Sequence, residues 1–262
     1  MPANMNSRGQ TMYQDITYSI DNGIAVITIN RPKVLNAIRI QTYDDLIDAL
    51  NSSDQNDEVK VLVLTGAEGR FTAGNDLSDL LPPSDIRELK KRVGGIFEAF
   101  ARLSKPLIIA QEGVAIGIGA NMLLHADIAY AGKSIRYSLP FAKIGVTSEG
   151  ACSVLLAEAI GPKRANELLY TGRFFSAEEA EKWGLLTAMV DDGQALETAM
   201  NTARELLKNS QDSIRAIKKL GKAEGHEARV NKAVELEMEM FGNLLDTPET
   251  QARINHVLKG GK

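Results

Sequence analysis

Between Ile16 and Ala131 short β-branched apolar runs alternate with helical periodicities, and beyond about residue 192 the strand-like runs stop. That alternation confines the chain to an α/β architecture with a helical section at its C-terminal end. Ile16 to Ile20 and Ile24 to Asn30 are β-rich runs separated by Asp21-Asn22-Gly23, which predicts a hairpin because Asn and Gly tolerate positive φ. Residues 37 to 50 place Ile40, Tyr43, Leu46, Ile47 and Leu50 at helical spacing, and Val59 to Thr65 is a short apolar run. A helix marked by Ile86, Leu89, Val93, Ile96, Phe97, Phe100 and Leu103 follows, then a strand over 107–110, a helix over 120–124 and a strand over 127–131.

Helices then dominate. They are expected over 150–160, over 162–170 with proline at the start, and over 176–183, where Ser176 and Glu179 have capping-box spacing. A short strand at 187–190 precedes helices over 194–208, 212–224, 227–245 and 248–259. The organisation read from this is a disordered tail over 1–12, a mixed α/β core over 13–192, and a helical section over 193–262.

Composition narrows the function. Hydrophobic residues are 44% and charged residues 24%, ordinary for a folded soluble chain, and the formal charge of −4 argues against a generic nucleic-acid binder. Glu112, Asn121 and His125 interrupt the longest apolar stretches, so no membrane span is expected. No signal-peptide core precedes Met12, and the C-terminus is not a peroxisomal Ser-Lys-Leu address; the cytoplasm is the expected location. Cys152 is the single cysteine and sits in an apolar helical pattern, where a buried structural thiol is expected. His125, His226 and His256 show no metal-ligand spacing. His125 is expected to pack or cap, and Trp183 to pack.

Two glycine-bearing segments carry the chemistry. Phe71-Thr72-Ala73-Gly74-Asn75-Asp76-Leu77 and Gly113-Val114-Ala115-Ile116-Gly117-Ile118-Gly119-Ala120-Asn121 each follow a strand-like run. Glycine permits a close approach that a Cβ would obstruct, so such loops can present backbone amides to one ligand oxygen. Taken singly, each is equally a tight turn.

With Asn30-Arg31-Pro32, Asn36-Ala37, Ala126-Asp127-Ile128 and Ala180-Glu181-Lys182-Trp183-Gly184-Leu185, in that order along the chain, these segments resemble the crotonase, or enoyl-CoA hydratase/isomerase, superfamily. The resemblance runs from about Tyr13 into the helical tail. It implies a crotonase-like spiral of repeated ββα units, an acyl-CoA thioester as the substrate with no cofactor or metal beyond it, and assembly as a homotrimer or a dimer of trimers. It places two oxyanion-hole donors on the backbone N–H groups of Asn75 and Ile118, with Ala73, Gly74, Asp76, Leu77, Gly117, Gly119 and Phe141 around the substrate. Many relatives have glycine at the position of Ile118, so glycine there is expected to be tolerated. Ile118 opens a helix-like segment whose N-terminal partial charge would add to the stabilisation. Because the donor at Asn75 is its backbone, loss of that side chain is expected to cost little. Asp76 is expected to cap or orient the first loop, and Lys33 and Arg31 are candidates for the phosphates of coenzyme A. Ser138 and Ser148 border the acyl pocket without an assigned role. The segment 78–89 and the helical tail are expected to set the acyl chain.

Carboxylates decide the reaction. A hydratase of the family uses two glutamates, and at their positions this chain has Asn121 and Phe141. Glu149, in Lys143-Ile144-Gly145-Val146-Thr147-Ser148-Glu149-Gly150, stands where the family's Δ3,Δ2-enoyl-CoA isomerases carry a single catalytic glutamate. Read from the residues alone, Glu149 is a solvent-facing acid before a helix; read with the resemblance, it is the base. Apolar neighbours such as Leu139, Phe141 and Val146 would raise its pKa. The expected activity is isomerisation of a 3-enoyl-CoA to the 2-enoyl ester. Thioester hydrolysis, ring chemistry on an aromatic CoA ester, one-carboxylate hydration and non-catalytic acyl-CoA binding stay open as alternatives.

Overall fold

The computed structural model describes residues 13–81, 85–222 and 224–260; the expected tail over 1–12 lies outside them. In chain order the strands are β1 Ile16–Asp21, β2 Ile24–Ile29, β3 Val61–Gly66, β4 Leu107–Gln111, β5 Val114–Ile116, β6 Ile128–Gly132, β7 Arg136–Ser138, β8 Phe174–Ser176 and β9 Ala188–Val190. The helices are α1 Ile40–Gln55, α2 Ile86–Arg102, α3 Ile118–Asn121, α4 Phe141–Ile144, α5 Cys152–Ile160, α6 Pro162–Thr171, α7 Ala177–Lys182, α8 Ala195–Leu207, α9 Gln211–Gly221, α10 His226–Leu245 and α11 Pro248–Leu258.

Six strands form one sheet in the order β1-β2-β3-β4-β6-β9. The hairpin pair β1 and β2 is antiparallel and the other neighbours are parallel. Parallel strands need crossovers, which α1 and α2 supply between β2, β3 and β4. The central strands are apolar on both faces, as a sheet covered on both sides requires. Leu62, Leu64, Leu107 and Ile109 point into the main core beneath α1 and α2. Val61, Val63, Ile108 and Ala110 point the other way, onto Ala195, Ala199 and Ala203, a stripe of small side chains that lets α8 lie close.

The second sheet, β5-β7-β8, was not legible in the sequence. Its strands are three residues each, too short for a periodicity to register. The helix expected over 37–50 begins at Ile40, because Arg39 is extended and its N–H is capped by the Thr42 hydroxyl at 3.2 Å. The helix expected over 120–124 is instead α3 followed by a 3-10 turn over Met122–His125. The capping box of Ser176 and Glu179 at the start of α7 forms as expected. Among the described residues no helix is long and apolar enough to cross a membrane.

The fold places the site by joining its two glycine segments. Phe71 N–H donates to Glu112 O at 2.9 Å, Thr72 N–H to Val114 O at 3.1 Å, and Ile116 N–H to Thr72 O at 3.1 Å. The first segment therefore runs alongside β5, and both reach their glycines together.

Candidate active site

Gly74 has φ +93°, and a Cβ there would stand 2.8 Å from Ile116 O. Only glycine lets the two loops approach this closely without displacing backbone. Within the described residues neither Asn75 N–H nor Ile118 N–H donates to a protein acceptor, whereas Ala73, Gly74 and Asp76 N–H all do. Two neighbouring loops thus leave two backbone donors unspent. The helix that Ile118 opens is four residues long, too short to build an extended dipole, so the donor strength rests on the N–H itself.

These loops border an apolar cavity of about 270 Å³. Of the residues expected at the substrate, Ala73, Gly74, Asn75, Leu77, Gly117, Phe141 and Glu149 line it; Asp76, Ile118, Gly119 and Lys33 do not. Leu80 of the 78–89 segment lines it too, with Phe241 of α10 and Val257 of α11 from the helical tail, while residues 82–84 lie outside the description. Asp76 caps the 3-10 turn Leu77–Leu80 through Ser78 and pairs with Arg31 at 3.2 Å. Arg31 also bonds Ala37 O and approaches Asp15, so it is committed to the fold and not to a phosphate. Lys33 stands exposed on the turn Pro32–Val34. The Ile118 side chain is wholly buried in the core, a packing role that the expectation of tolerated glycine overlooks.

Glu149 is fully shielded from bulk solvent, which removes the reading as a surface acid. Its backbone is held on several sides. Asn121 Nδ2 donates to Glu149 O at 2.8 Å, and His125 Nε2 bonds Gly150 O at 2.8 Å while its ring stacks on Phe100. Gly150 has φ +73°, and a Cβ there would fall 2.3 Å from the Phe97 ring. The turn accepts no other residue without moving that ring. Burial lowers the His125 pKa to about 4, so the ring is neutral at physiological pH and acts as a donor to the carbonyl. Ser138 donates to Gly172 O and Ser148 to Glu237; neither lines the cavity. Cys152 is buried with its pKa pushed up by desolvation, as a structural thiol should be.

The Glu149 carboxylate receives both bonds of one amide: Asn75 Nδ2 lies 3.2 Å from Oε1 and 3.1 Å from Oε2. The buried Tyr43 hydroxyl donates to Asn75 Oδ1 and fixes which way that amide faces. The Asn75 side chain is therefore engaged with the candidate base, contrary to the expectation that its loss would be cheap. Burial raises the Glu149 pKa to about 7; the Asn75 bond pulls it down and the nearby Glu237 charge pushes it up. A carboxylate poised there can both take and return a proton near neutrality. Val146 and Phe141 share its cavity, and Leu139 is buried without lining it.

Sequence reasoning missed Tyr43, Glu237 and the anchoring roles of Asn121 and His125. Glu237 left a signal, since it occupies a core-facing position of α10 in step with Val230, Ala233, Val234, Met238 and Phe241. An acid on that stripe demands a partner in the core.

Residues 19–259 match the enoyl-CoA hydratase/isomerase family. The chain is 33% identical over 201 residues to the 1,2-epoxyphenylacetyl-CoA isomerase of Escherichia coli K12, covering 74% of this chain and 77% of that one. It is 28% identical over 262 residues to human enoyl-CoA delta isomerase 2, covering 97% of this chain and 66% of the human protein. The crystal structure of an enoyl-CoA hydratase/isomerase from Pseudoalteromonas atlantica T6c superposes with a TM-score of 0.88 at 30% identity, over 95% of this chain and 98% of that one. With its crotonase fold and paired glycine loops, the chain belongs to the enoyl-CoA hydratase/isomerase family of acyl-CoA enzymes.

Proposed function

We infer that the enzyme moves the double bond of a 3-enoyl-CoA to the 2-position, with Glu149 as the base. One observation carries this reading: Glu149 is the only carboxylate among the described residues that line the cavity. Asn121 and Phe141 stand where a hydratase of the family has its two glutamates, and neither moves a proton. The thioester carbonyl accepts from Asn75 N–H and Ile118 N–H, which stabilises the oxyanion and acidifies C2. Glu149 removes a C2 proton, the electron pair passes into the dienolate, and the same carboxyl returns a proton at C4. The apolar lining, with Ile144, Val146, Phe141 and Phe241, excludes the water that addition across the double bond would need. Lys33, exposed beside the first loop, serves the phosphates of coenzyme A.

The test is a panel of 3-enoyl-, 2-enoyl- and aryl-acyl-CoA esters assayed for isomerisation, hydration and free thiol. Isomerisation of the 3-enoyl ester should dominate. Hydration or thiol release at comparable rates would overturn the reading, and tight ester binding without any C2 exchange would reduce the protein to a binder. The aryl esters belong in the panel because the E. coli relative is named for an epoxide of an aromatic acyl group. Assembly is proposed as a trimer or a dimer of trimers. Leu236, Met240 and Leu244 form an exposed stripe on α10 after Val230, Val234, Met238 and Phe241 are buried within the chain, and a second copy would cover it. Light scattering should return a trimer or hexamer, and a monomer at micromolar concentration would contradict it.

A further inference from the structure

The turn that carries Glu149 is gripped from the C-terminal section by a second buried acid. Glu237 on α10 is 5% exposed. Its Oε2 accepts from Ala151 N–H at 2.7 Å, and its Oε1 accepts from Ser153 N–H at 2.8 Å and from the Ser148 hydroxyl at 3.3 Å. One carboxylate thus holds the chain on both sides of Glu149. The contacts also supply what α5 lacks, because its N-cap, Ala151, is left-handed at φ 58° and offers no side-chain cap.

All three partners donate, so the carboxylate form fits them, and among the described residues no cation pairs with Glu237. An unpaired buried anion beside another acid is costly. A Leu or Met at this position of the α10 stripe would serve packing alone at less cost. One turn further along, Phe241 lines the cavity that Glu149 faces, so the same helix walls the acyl group and holds the turn.

We propose that Glu237 is a positioning residue, which grips the turn 148–153 from α10 and so aims the Glu149 carboxylate at the acyl group. The proposal rests on the reading of Glu149 as the base. The Glu237 charge also contributes to the raised Glu149 pKa. Among the described residues, titratable groups near the turn include the Cys152 thiol, His125 on Gly150 O and Tyr43 behind Asn75, and Lys90 of α2 packs against α10 at Gly242.

The experiment measures kcat and KM for a 3-enoyl-CoA from pH 5.5 to 9.5 in Glu237→Gln and Glu237→Asp, with Glu149→Gln alongside and folding checked by circular dichroism. Gln keeps an acceptor but removes the charge and opposes one backbone donor. At pH 9, where Glu149 is ionised in any case, kcat should fall at least about tenfold with KM within about twofold, as for a misaimed group. The midpoint of the acid limb should move to lower pH, because a repelling charge has gone. Asp keeps the charge but withdraws the oxygens by one methylene, so kcat should fall while the midpoint stays. A folded Glu237→Gln enzyme with wild-type kcat and midpoint would overturn the proposal. If that variant does not fold, wild-type kcat in Glu237→Asp would do the same. Activity retained in Glu149→Gln would overturn the base assignment itself; an inactive Glu149→Gln beside fully active Glu237 variants would overturn only the role of Glu237.

Discussion

Replacing Asn75 by Ala removes one side-chain amide and leaves the backbone N–H in place, so it separates the side-chain contact with Glu149 from the donor role proposed for the backbone. The amide donates to both oxygens of Glu149 at 3.1 and 3.2 Å, and a hydrogen bond to a buried charged group is worth roughly 1.5–3 kcal/mol. At 1.36 kcal/mol per pKa unit its loss should raise the pKa of Glu149 by about 1–2 units. Glu149 starts at about 7, and in the proposed reaction it must be ionised to accept the C2 proton. At pH 7 the ionised fraction should fall from about half to between about one-tenth and one-hundredth, a loss of roughly 5- to 50-fold in turnover. The loss should shrink above pH 9, leaving only what misorientation costs. The assay is kcat against pH for a 3-enoyl-CoA, with ester binding and circular dichroism as folding controls. A folded, ester-binding variant whose acid limb stays at the wild-type midpoint would refute the reasoning. The shift is opposite in sign to that expected for Glu237→Gln, so a general loosening of the site cannot produce both.

Ile118→Pro deletes a proposed oxyanion donor and should lower kcat by ~10²–10³-fold in folded enzyme. Ile118→Gly keeps the N–H but empties a core position, so its penalty should appear as stability, about 2–5 kcal/mol in denaturant melts, with turnover largely kept. Asn121→Glu replaces the donor to Glu149 O with an unpaired buried acid, and should cost about 2–5 kcal/mol and fail to install hydratase activity even alongside Phe141→Glu. His125, with its folded pKa depressed to about 4, contributes stability that is full above the ordinary histidine range and is lost as pH falls through that range towards 4. Glu149 acts oppositely: its folded pKa of about 7 makes ionisation erode stability as pH rises from the ordinary carboxylate range to 7. Glu149→Gln should therefore melt higher than wild type at pH 8, by on the order of 3 kcal/mol; an equal or lower melt would contradict the raised pKa.

The frame of the fold was legible because most of its strands and helices are long enough to show their periods; β9, as short as the strands of the second sheet, showed only because it lies in the apolar run 185–190. The hairpin, the strands of the central sheet and the C-terminal helices lie within a few residues of expectation. The second sheet was hidden because β5, β7 and β8 are three residues each and owe their pairing to contacts remote in sequence. At the candidate site, Gly74 and Gly117 stood out through local motifs, and Glu149 only through the family resemblance of its loop. Tyr43, Asn121, His125 and Glu237 did not, because each acts on a residue 25 or more positions away. Their types fitted ordinary helix positions equally well. Glu237 alone broke its pattern, as an acid in an apolar stripe.

The most direct measurement is turnover of a 3-enoyl-CoA by Glu149→Gln, together with proton exchange at C2 in deuterated water. Gln keeps the shape of the side chain and removes the carboxylate. Isomerisation and C2 exchange should both fall by at least ~10²–10⁴-fold while the ester still binds. Wild-type turnover or exchange in that variant would mean that another group takes the proton, and Glu149 would lose its place as the base.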